Sequence, residues 1–151
     1  MVIARKSNPR QILLPLRSRL LIVDHDPEFR RFLVTSYVYP RVRMLGFVPG
    51  DHLPSLYLFA SAVIYPSLYE GFGLSLIEAL ACGRPAFAFD AGATGEVLRP
   101  VDPLLLVPAR DTAAPFARVT DFLSLPPEER TARGQHYREA ALSRYTLTKS
   151  A

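Results

Sequence analysis

The sequence predicts one α/β domain with a parallel β-sheet, and three observations point to this class. Short apolar runs recur along the 151 residues, each too short for a buried helix. Segments with helical spacing of apolar residues separate these runs, which is the pattern of βαβ units with helices on both faces of a sheet. The composition, 49% hydrophobic and 21% charged with one cysteine, excludes a disordered chain, a disulfide framework and a cysteine-based zinc site.

The apolar runs predict five strands, at 20–23, 42–45, 62–65, 85–89 and 104–107. The first is unbroken up to Asp24, as expected of a strand buried on both faces, and Pro66 stops the third. Helices are predicted at 27–36, after Pro54, at 75–82, as a turn near Glu96, and at 111–124 and 127–144. Pro54 suits the first turn of a helix, and Gly83 suits the residue that ends one.

The predicted organisation is a basic lead segment at 1–19, taken as the truncated start of the domain, a Rossmann-like domain at 20–145 and a tail at 146–151. The net charge of +4 is uneven, with +6 over residues 1–43 and −4 over 44–98. Basic residues are spread among apolar ones, so nucleic-acid binding is not predicted. The sequence contains no run of 18 apolar residues and no signal-peptide pattern. We therefore expect a cytoplasmic protein without a transmembrane segment, either free or peripheral to the membrane.

The segment Pro66–Glu78 carries the chemistry of this sequence. It reads as a strand end, a loop with two glycines and the start of a helix, and a helix N-terminus favours anions such as phosphate. Glu70 in the loop and Glu78 on the helix flank that terminus. Carboxylates repel phosphate but accept hydrogen bonds from sugar hydroxyls. The combination therefore indicates a phosphorylated sugar compound as ligand.

A purely structural interpretation of the same residues remains open. Ser75 and Glu78 fit the S-x-x-E capping box, in which Glu78 only satisfies a backbone N–H, and Glu70 fits a solvated loop residue. In either case Ser75 and Glu78 are expected on the polar side of the helix. The opposite, apolar face is predicted to carry Leu76, Ile77, Leu80 and Ala81.

Residues 42–98 resemble the C-terminal domain of retaining GT-B glycosyltransferases, the group called glycosyl transferases group 1, or family four. The matching pieces stand in order: Val42–Pro49, Leu53–Tyr57, Ala62–Ser67, Tyr69–Leu74, Glu78–Pro85 and Gly95–Val97. Glu70 and Glu78 are the two ends of the E-x7-E motif of this family. With weaker agreement the resemblance extends from about Leu20 to Tyr145. It implies a single Rossmann-like domain, the C-terminal half of a GT-B fold.

The resemblance also implies roles for these residues. Glu70 is expected as the catalytic residue, in contact with donor-sugar hydroxyls near the reacting carbon, and Glu78 is expected to bind the ribose hydroxyls. The loop of Gly71, Phe72, Gly73 and Leu74 is expected to approach the donor sugar and its diphosphate. The base is expected against Gly46, Phe47 and Val48. The implied reaction transfers a sugar from a nucleotide-sugar donor to an acceptor hydroxyl with retained configuration, without a metal or other cofactor.

The sequence departs from the family outside the segment Pro66–Glu78, in its number of domains and in its cations for the diphosphate. GT-B enzymes have two such domains with the active site between them, so we expect this chain to be a donor-binding half that is inactive alone and that needs an N-terminal domain or partner chain. The Arg and Lys pair that the family places on the diphosphate has no clear counterpart in Met1–Arg19. The helix end and Arg84 then remain as positive partners of the phosphates. The competing hypothesis is a non-catalytic Rossmann-like interaction domain that has lost the donor site.

Two further groups of residues in the sequence have the composition of a functional site. Asp24-His25-Asp26 fits a D-x-D metal site, but acidic residues after a strand commonly cap the next helix, and that interpretation is preferred. Cys82 ends a helix beside Gly83 with no histidine nearby in the sequence, which favours a small buried residue over a nucleophile. The particular sugar, base and acceptor are not specified by the sequence.

Overall fold

The computed structural model describes residues 2–4, 20–22, 42–45, 47–68, 71–109, 111 and 114–145, with the backbone alone at 2–4, 20–22 and 42–44. The strands are β1 (Val2–Ala4), β2 (Leu20–Ile22), β3 (Val42–Met44), β4 (Ala62–Tyr65), β5 (Ala86–Phe89) and β6 (Leu106–Val107). The helices are α1 (Leu53–Phe59), α2 (Leu74–Ala81), α3 (Ala93–Leu98), α4 (Ala114–Ser124) and α5 (Pro127–Tyr145). Short 3-10 turns at Gly50–His52 and Pro103–Leu105 precede α1 and β6. The α/β class predicted from the sequence is confirmed.

All six strands lie parallel in one sheet, in the order β3-β2-β1-β4-β5-β6. This is the strand order of the Rossmann fold, in which the chain reverses its direction of travel across the sheet between β1 and β4. Ligands of such sheets bind beyond the carboxyl ends of the strands at this reversal. The fold therefore directs attention to the residues that follow Ala4 and Tyr65.

The strand β1 was not predicted from the sequence, where 1–19 was treated as a lead segment without a strand. In the structure it pairs with β2 and with β4, in a register that sets Ala4 beside Ile22 and Ile64. Its apolar run is the first four residues of the sequence, and the charged residues that interrupt the rest of 1–19 led to the interpretation of the whole segment as a basic lead. Its partners lie 18 and 60 positions later, and this pairing stabilises it as a central strand.

The core forms around β4 and β5, whose side chains are buried at every position. Successive side chains of a strand point to opposite faces, so both faces of the sheet are covered in this region. The helices supply the remaining core residues, among them Leu76 and Leu80 of α2, Phe116 and Val119 of α4, and Tyr137 of α5. None of the described helices combines the length and apolarity needed to cross a bilayer.

Most predicted elements agree with the structure to within a few residues. The main shift is at the last strand, which begins at Leu106 rather than at 104. The reason is local, since the Asp102 carboxylate accepts a hydrogen bond from the Leu104 N–H at 2.9 Å and holds the preceding residues in a 3-10 turn. The predicted helix at 27–36 and the tail at 146–151 lie outside the described residues.

Candidate functional site

The candidate site lies at the carboxyl edge of the sheet, where the loop after β4 leads into α2. Gly71 and Phe72 are exposed, and Gly73 is the residue immediately before the helix, with a left-handed backbone at φ +77°. A Cβ on Gly73 would lie 3.1 Å from the Leu76 Cδ1 atom, so both its backbone conformation and its surroundings favour glycine. Leu74 opens the helix with 64% of its surface exposed. The predicted loop-to-helix arrangement of Gly71–Leu74 is thus present.

The capping-box interpretation of Ser75 and Glu78 is wrong. The helix begins at Leu74 after Gly73, so Ser75 lies within the first turn, and no side chain of the described residues caps the N-terminus. Ser75 is also 8% exposed, against the prediction that it faces solvent. It stands one turn before the fully buried Ala79, and these two share the core-facing side with Leu76 and Leu80.

Glu78 is exposed and is held by a residue of the neighbouring helix. Its Oε2 atom accepts a hydrogen bond from the Tyr57 hydroxyl at 3.1 Å, and Tyr57 itself is buried in α1. The Glu78 carboxylate is therefore hydrogen-bonded to a neighbouring helix and does not cap its own helix. A buried tyrosine usually needs a hydrogen-bond partner, but only the packing of α1 against α2 identifies Glu78 as that partner.

The C-terminal end of α5 reaches the same loop, a contact that the sequence did not predict. The ring of Tyr145 meets the ring of Phe72 edge to face, with 6.5 Å between their centroids. The Tyr145 hydroxyl donates to the carbonyl of Val97 in α3 at 3.2 Å. Tyr145 therefore links the loop after β4 to the helix that follows β5.

The loop after β5 is held by its own side chains at the same edge of the sheet. The Thr94 hydroxyl is buried and donates within the loop to the Phe89 and Ala91 carbonyls. Asp90 receives two hydrogen bonds of 2.8 Å from the Arg99 guanidinium. These contacts hold the loop in place beside the loop after β4.

The remaining predicted site residues are placed as follows. Glu70 and Gly46 lie outside the described residues, as do Asp24 and Asp26. Phe47, which is exposed, and Val48, which is half-buried, follow β3. Three strand spacings separate β3 from β4, about 14 Å, so these two residues lie across the sheet edge from α2 rather than in contact with it.

Arg84 cannot serve the phosphates at this site, contrary to the expectation from the sequence. It stands just before β5, at the amino edge of the sheet, and its guanidinium donates to the Leu58 carbonyl at 2.6 Å. Among the described residues no group of three or more His, Cys, Asp or Glu side chains is arranged to hold a metal ion.

Several known proteins are similar to this chain in sequence or in structure. The O-antigen chain mannosyltransferase B of Escherichia coli is 46% identical over 57 residues, which are 38% of this chain and 15% of that protein. The structure of sucrose-phosphate synthase from Thermosynechococcus elongatus superposes with a TM-score of 0.68 at 31% identity, over 83% of this chain and 34% of that one. The matched regions are therefore a minor part of these proteins' own length.

A second structure shows how completely the fold is shared. Anabaena HepE, solved in complex with UDP, superposes with a TM-score of 0.77 over 95% of this chain and 44% of its own, at 21% identity. The fold is thus the Rossmann-like half of a GT-B structure. The family profile described as Glycosyl transferases group 1 matches residues 17–140, which is most of the chain. The chain belongs to glycosyl transferases group 1.

Proposed function

We propose that this chain is the donor-binding half of a glycosyltransferase, which holds a nucleotide sugar at the carboxyl edge of its sheet for transfer to an acceptor hydroxyl with retention of configuration. The observation that carries the proposal is the position of the Glu78 carboxylate, one turn from a helix N-terminus opened by a left-handed glycine. First-turn N–H groups of a helix have no intrahelical acceptors, and the helix dipole adds positive potential there. This end of α2 suits the diphosphate.

The spacing along α2 suits the other parts of such a ligand. Glu78 is four residues after Leu74, which is about 6 Å along the helix axis. A ribose attached to a diphosphate at the N-terminus would come within reach of that carboxylate, which accepts hydrogen bonds from hydroxyl groups. Phe47 and Val48, across the sheet edge, are proposed to contact the base, and Glu70 is proposed as the residue next to the reacting sugar carbon.

Known structures of the same fold support a nucleotide as the ligand to test. HepE was solved with UDP, with UDP and glucose, and with UDP-glucose. UDP is therefore the first probe for this chain, with ADP and GDP beside it, since the base is not determined by the residues discussed above.

The test measures the melting temperature of the chain with and without each nucleotide. At 100 times its Kd a ligand adds about 2.7 kcal/mol to the free energy of unfolding. For a domain of this size that corresponds to a rise of about 5–10 °C. Glu78→Ala should weaken binding at least about tenfold, which removes half of the rise or more. Glu139→Ala, which removes an exposed carboxylate from α5, is the control and should keep the full rise.

Two outcomes would count against the proposal. If none of the three nucleotides raises the melting temperature, the donor site is absent and the chain is an interaction domain that keeps only the fold. If Glu139→Ala reduces the rise as much as Glu78→Ala, the effect is one of general charge. We propose that binding needs no metal, so an excess of EDTA should leave the rise unchanged.

We also propose that the chain alone transfers no sugar, because the acceptor must be held beside the donor. Several large apolar side chains at the carboxyl edge are exposed, as expected of a surface that another domain covers: Phe47, Leu68, Phe72 and Leu74. Incubation with UDP-glucose and simple acceptors should give no product. Transfer by this polypeptide alone would contradict the proposal. An inverted anomer from any assembly that restores transfer would contradict retention.

A further inference from the structure

A cavity lies at the opposite edge of the sheet from the candidate donor site. It has a volume of about 490 Å³ and opens beside the amino ends of β4 and β5, where Ser61 and Pro85 line it. The C-terminal turn of α2 forms one wall, and the first three turns of α5 form another. We call it the amino-edge cavity. Pockets for small ligands fall in the range of about 300–1,000 Å³, so its size is that of a binding site.

The side chains around the amino-edge cavity give it a positive charge. Arg84, Arg130 and Arg138 line it, and no Asp or Glu is among the described lining residues. Glu129, next to Arg130 in the sequence, instead bonds to Arg133 at 2.7 Å. Among the described residues none of the three arginines forms an ion pair with a carboxylate.

Two of the three guanidinium groups are fixed in place by the ends of helices. Arg84 donates to the Leu58 carbonyl near the end of α1, and Arg138 donates to the Ala81 carbonyl at the end of α2. Each guanidinium has five N–H donors, so a single carbonyl leaves most of its capacity unused. The Nε atoms of Arg84 and Arg130 are buried without a hydrogen-bond partner among the described residues. Protein acceptors therefore compensate these charges only in part.

The electrostatic effects on Cys82 indicate that Arg84 and Arg138 both lie near it. Burial raises the pKa of the Cys82 thiol above its ordinary value, Arg138 and Arg84 act in the opposite direction, and Glu78 adds to the rise. Both positive charges are therefore close to one point on the cavity wall. Three neutral polar side chains, Ser61, Thr131 and Gln135, also line the cavity. Such side chains suit the hydroxyl groups of a ligand.

We propose that the amino-edge cavity binds a small phosphorylated compound of the size of a monosaccharide phosphate, with its phosphate on Arg130 and Arg138. Guanidinium groups bind phosphate oxygens through charge-assisted, often paired hydrogen bonds. The proposed phosphate positions of the two sites are distinct, because the eight residues of α2 place about 12 Å between its N-terminus and the cavity wall. Both sites can thus be occupied in one molecule.

The experiment uses the whole chain, with inorganic phosphate and glucose 6-phosphate as probes. Binding is measured by titration calorimetry and by the melting temperature, first alone and then with UDP at saturation, with potassium chloride at matched ionic strength as the salt control. Arg130→Gln removes a charge for which the structure shows no side-chain hydrogen bond among the described residues. Arg118→Gln removes an exposed arginine of α4 that does not line the cavity, and it serves as the matched control.

The expected result is that glucose 6-phosphate binds more tightly than phosphate and keeps its Kd when UDP is present. Arg130→Gln should weaken binding at least about tenfold, as the loss of a charge-assisted contact predicts, and Arg118→Gln should leave it unchanged. Absence of binding, an equal loss in both variants, or displacement of the probe by UDP would each overturn the proposal. Displacement by UDP would place the probe in the donor site, whereas absent binding with an intact UDP response would leave the donor site standing.

Discussion

The hydrogen bond between Tyr57 and Glu78 provides the sharpest test of how the candidate donor site is built. Tyr57→Phe keeps the buried ring and removes only the hydroxyl, which lies 3.1 Å from the Glu78 Oε2 atom. A hydrogen bond to a charged group contributes about 1.5–3 kcal/mol, but water can replace the lost donor on an exposed carboxylate. We therefore expect the free energy of unfolding to fall by about 1 kcal/mol, which is about 2–4 °C in the melting temperature.

The effect on nucleotide affinity follows from the side-chain freedom that Glu78 regains. Immobilising a flexible side chain on binding costs about 0.5–1.5 kcal/mol, and Tyr57 offsets part of this cost by holding the carboxylate beforehand. Tyr57→Phe should thus raise the Kd for UDP by about 2–10-fold. In a Glu78→Ala background the same change should have no effect on the Kd, because there is no carboxylate left to position.

Urea unfolding and titration calorimetry with UDP on the four proteins of this double-mutant cycle give both quantities. Two results would refute the reasoning. If Tyr57→Phe weakens UDP binding equally with and without Glu78, the tyrosine acts by another route. If Glu78→Ala weakens binding and Tyr57→Phe does not, the hydrogen bond is structural only.

Two further predictions concern the junction of α2 and α5. Gly134→Ala would place a Cβ 2.8 Å from the Gly83 carbonyl oxygen. Overpacking against the backbone costs about 1–3 kcal/mol. This cost exceeds the ~1 kcal/mol that alanine gains over glycine in a helix. Urea unfolding of Gly134→Ala should show a loss of stability. The control Gly50→Ala, with no atom within 4 Å of its Cβ, should change the free energy of unfolding by less than about 0.5 kcal/mol. Equal effects of the two substitutions would contradict the overpacking argument. Because burial raises the pKa of Cys82, its alkylation by iodoacetamide should rise with pH about a midpoint above that of a free thiol, about 8.5. A midpoint at or below that value would contradict the burial.

The sequence predicts the features that neighbouring residues determine, and it misses those that depend on contacts between distant residues. The strand Ala62–Tyr65 was predicted with its observed bounds, because an apolar run ends at a proline. The helix start at Leu74 was missed by one residue, and Ser75 was placed on the polar face from its spacing to Glu78, although it is buried one turn before Ala79. The partners of Glu78 and Phe72 come from α1 and α5. Such contacts depend on tertiary packing, and single-sequence patterns do not report them.

The position of β1 changes which cations we expect to bind the diphosphate of a nucleotide donor. β1 lies beside β4 and is parallel to it, so the chain leaves β1 at the edge where α2 begins. The next two residues in the sequence are Arg5 and Lys6, which lie outside the described residues. The sequence alone offered no clear counterpart for the Arg and Lys pair of the family, and we propose these two residues as the cations to test for that role.

The double variant Arg5→Ala/Lys6→Ala should weaken UDP binding at least about tenfold, because each charged contact to a phosphate is worth about 1.5–3 kcal/mol. It should also flatten the dependence of the Kd on salt, since fewer charges would meet the diphosphate. Arg17→Ala/Arg19→Ala removes the same charge from residues that come just before β2 in the sequence, and it is the matched control. If both variants lose affinity equally, the effect is one of net charge. If neither does, the N-terminus of α2 holds the diphosphate without these cations.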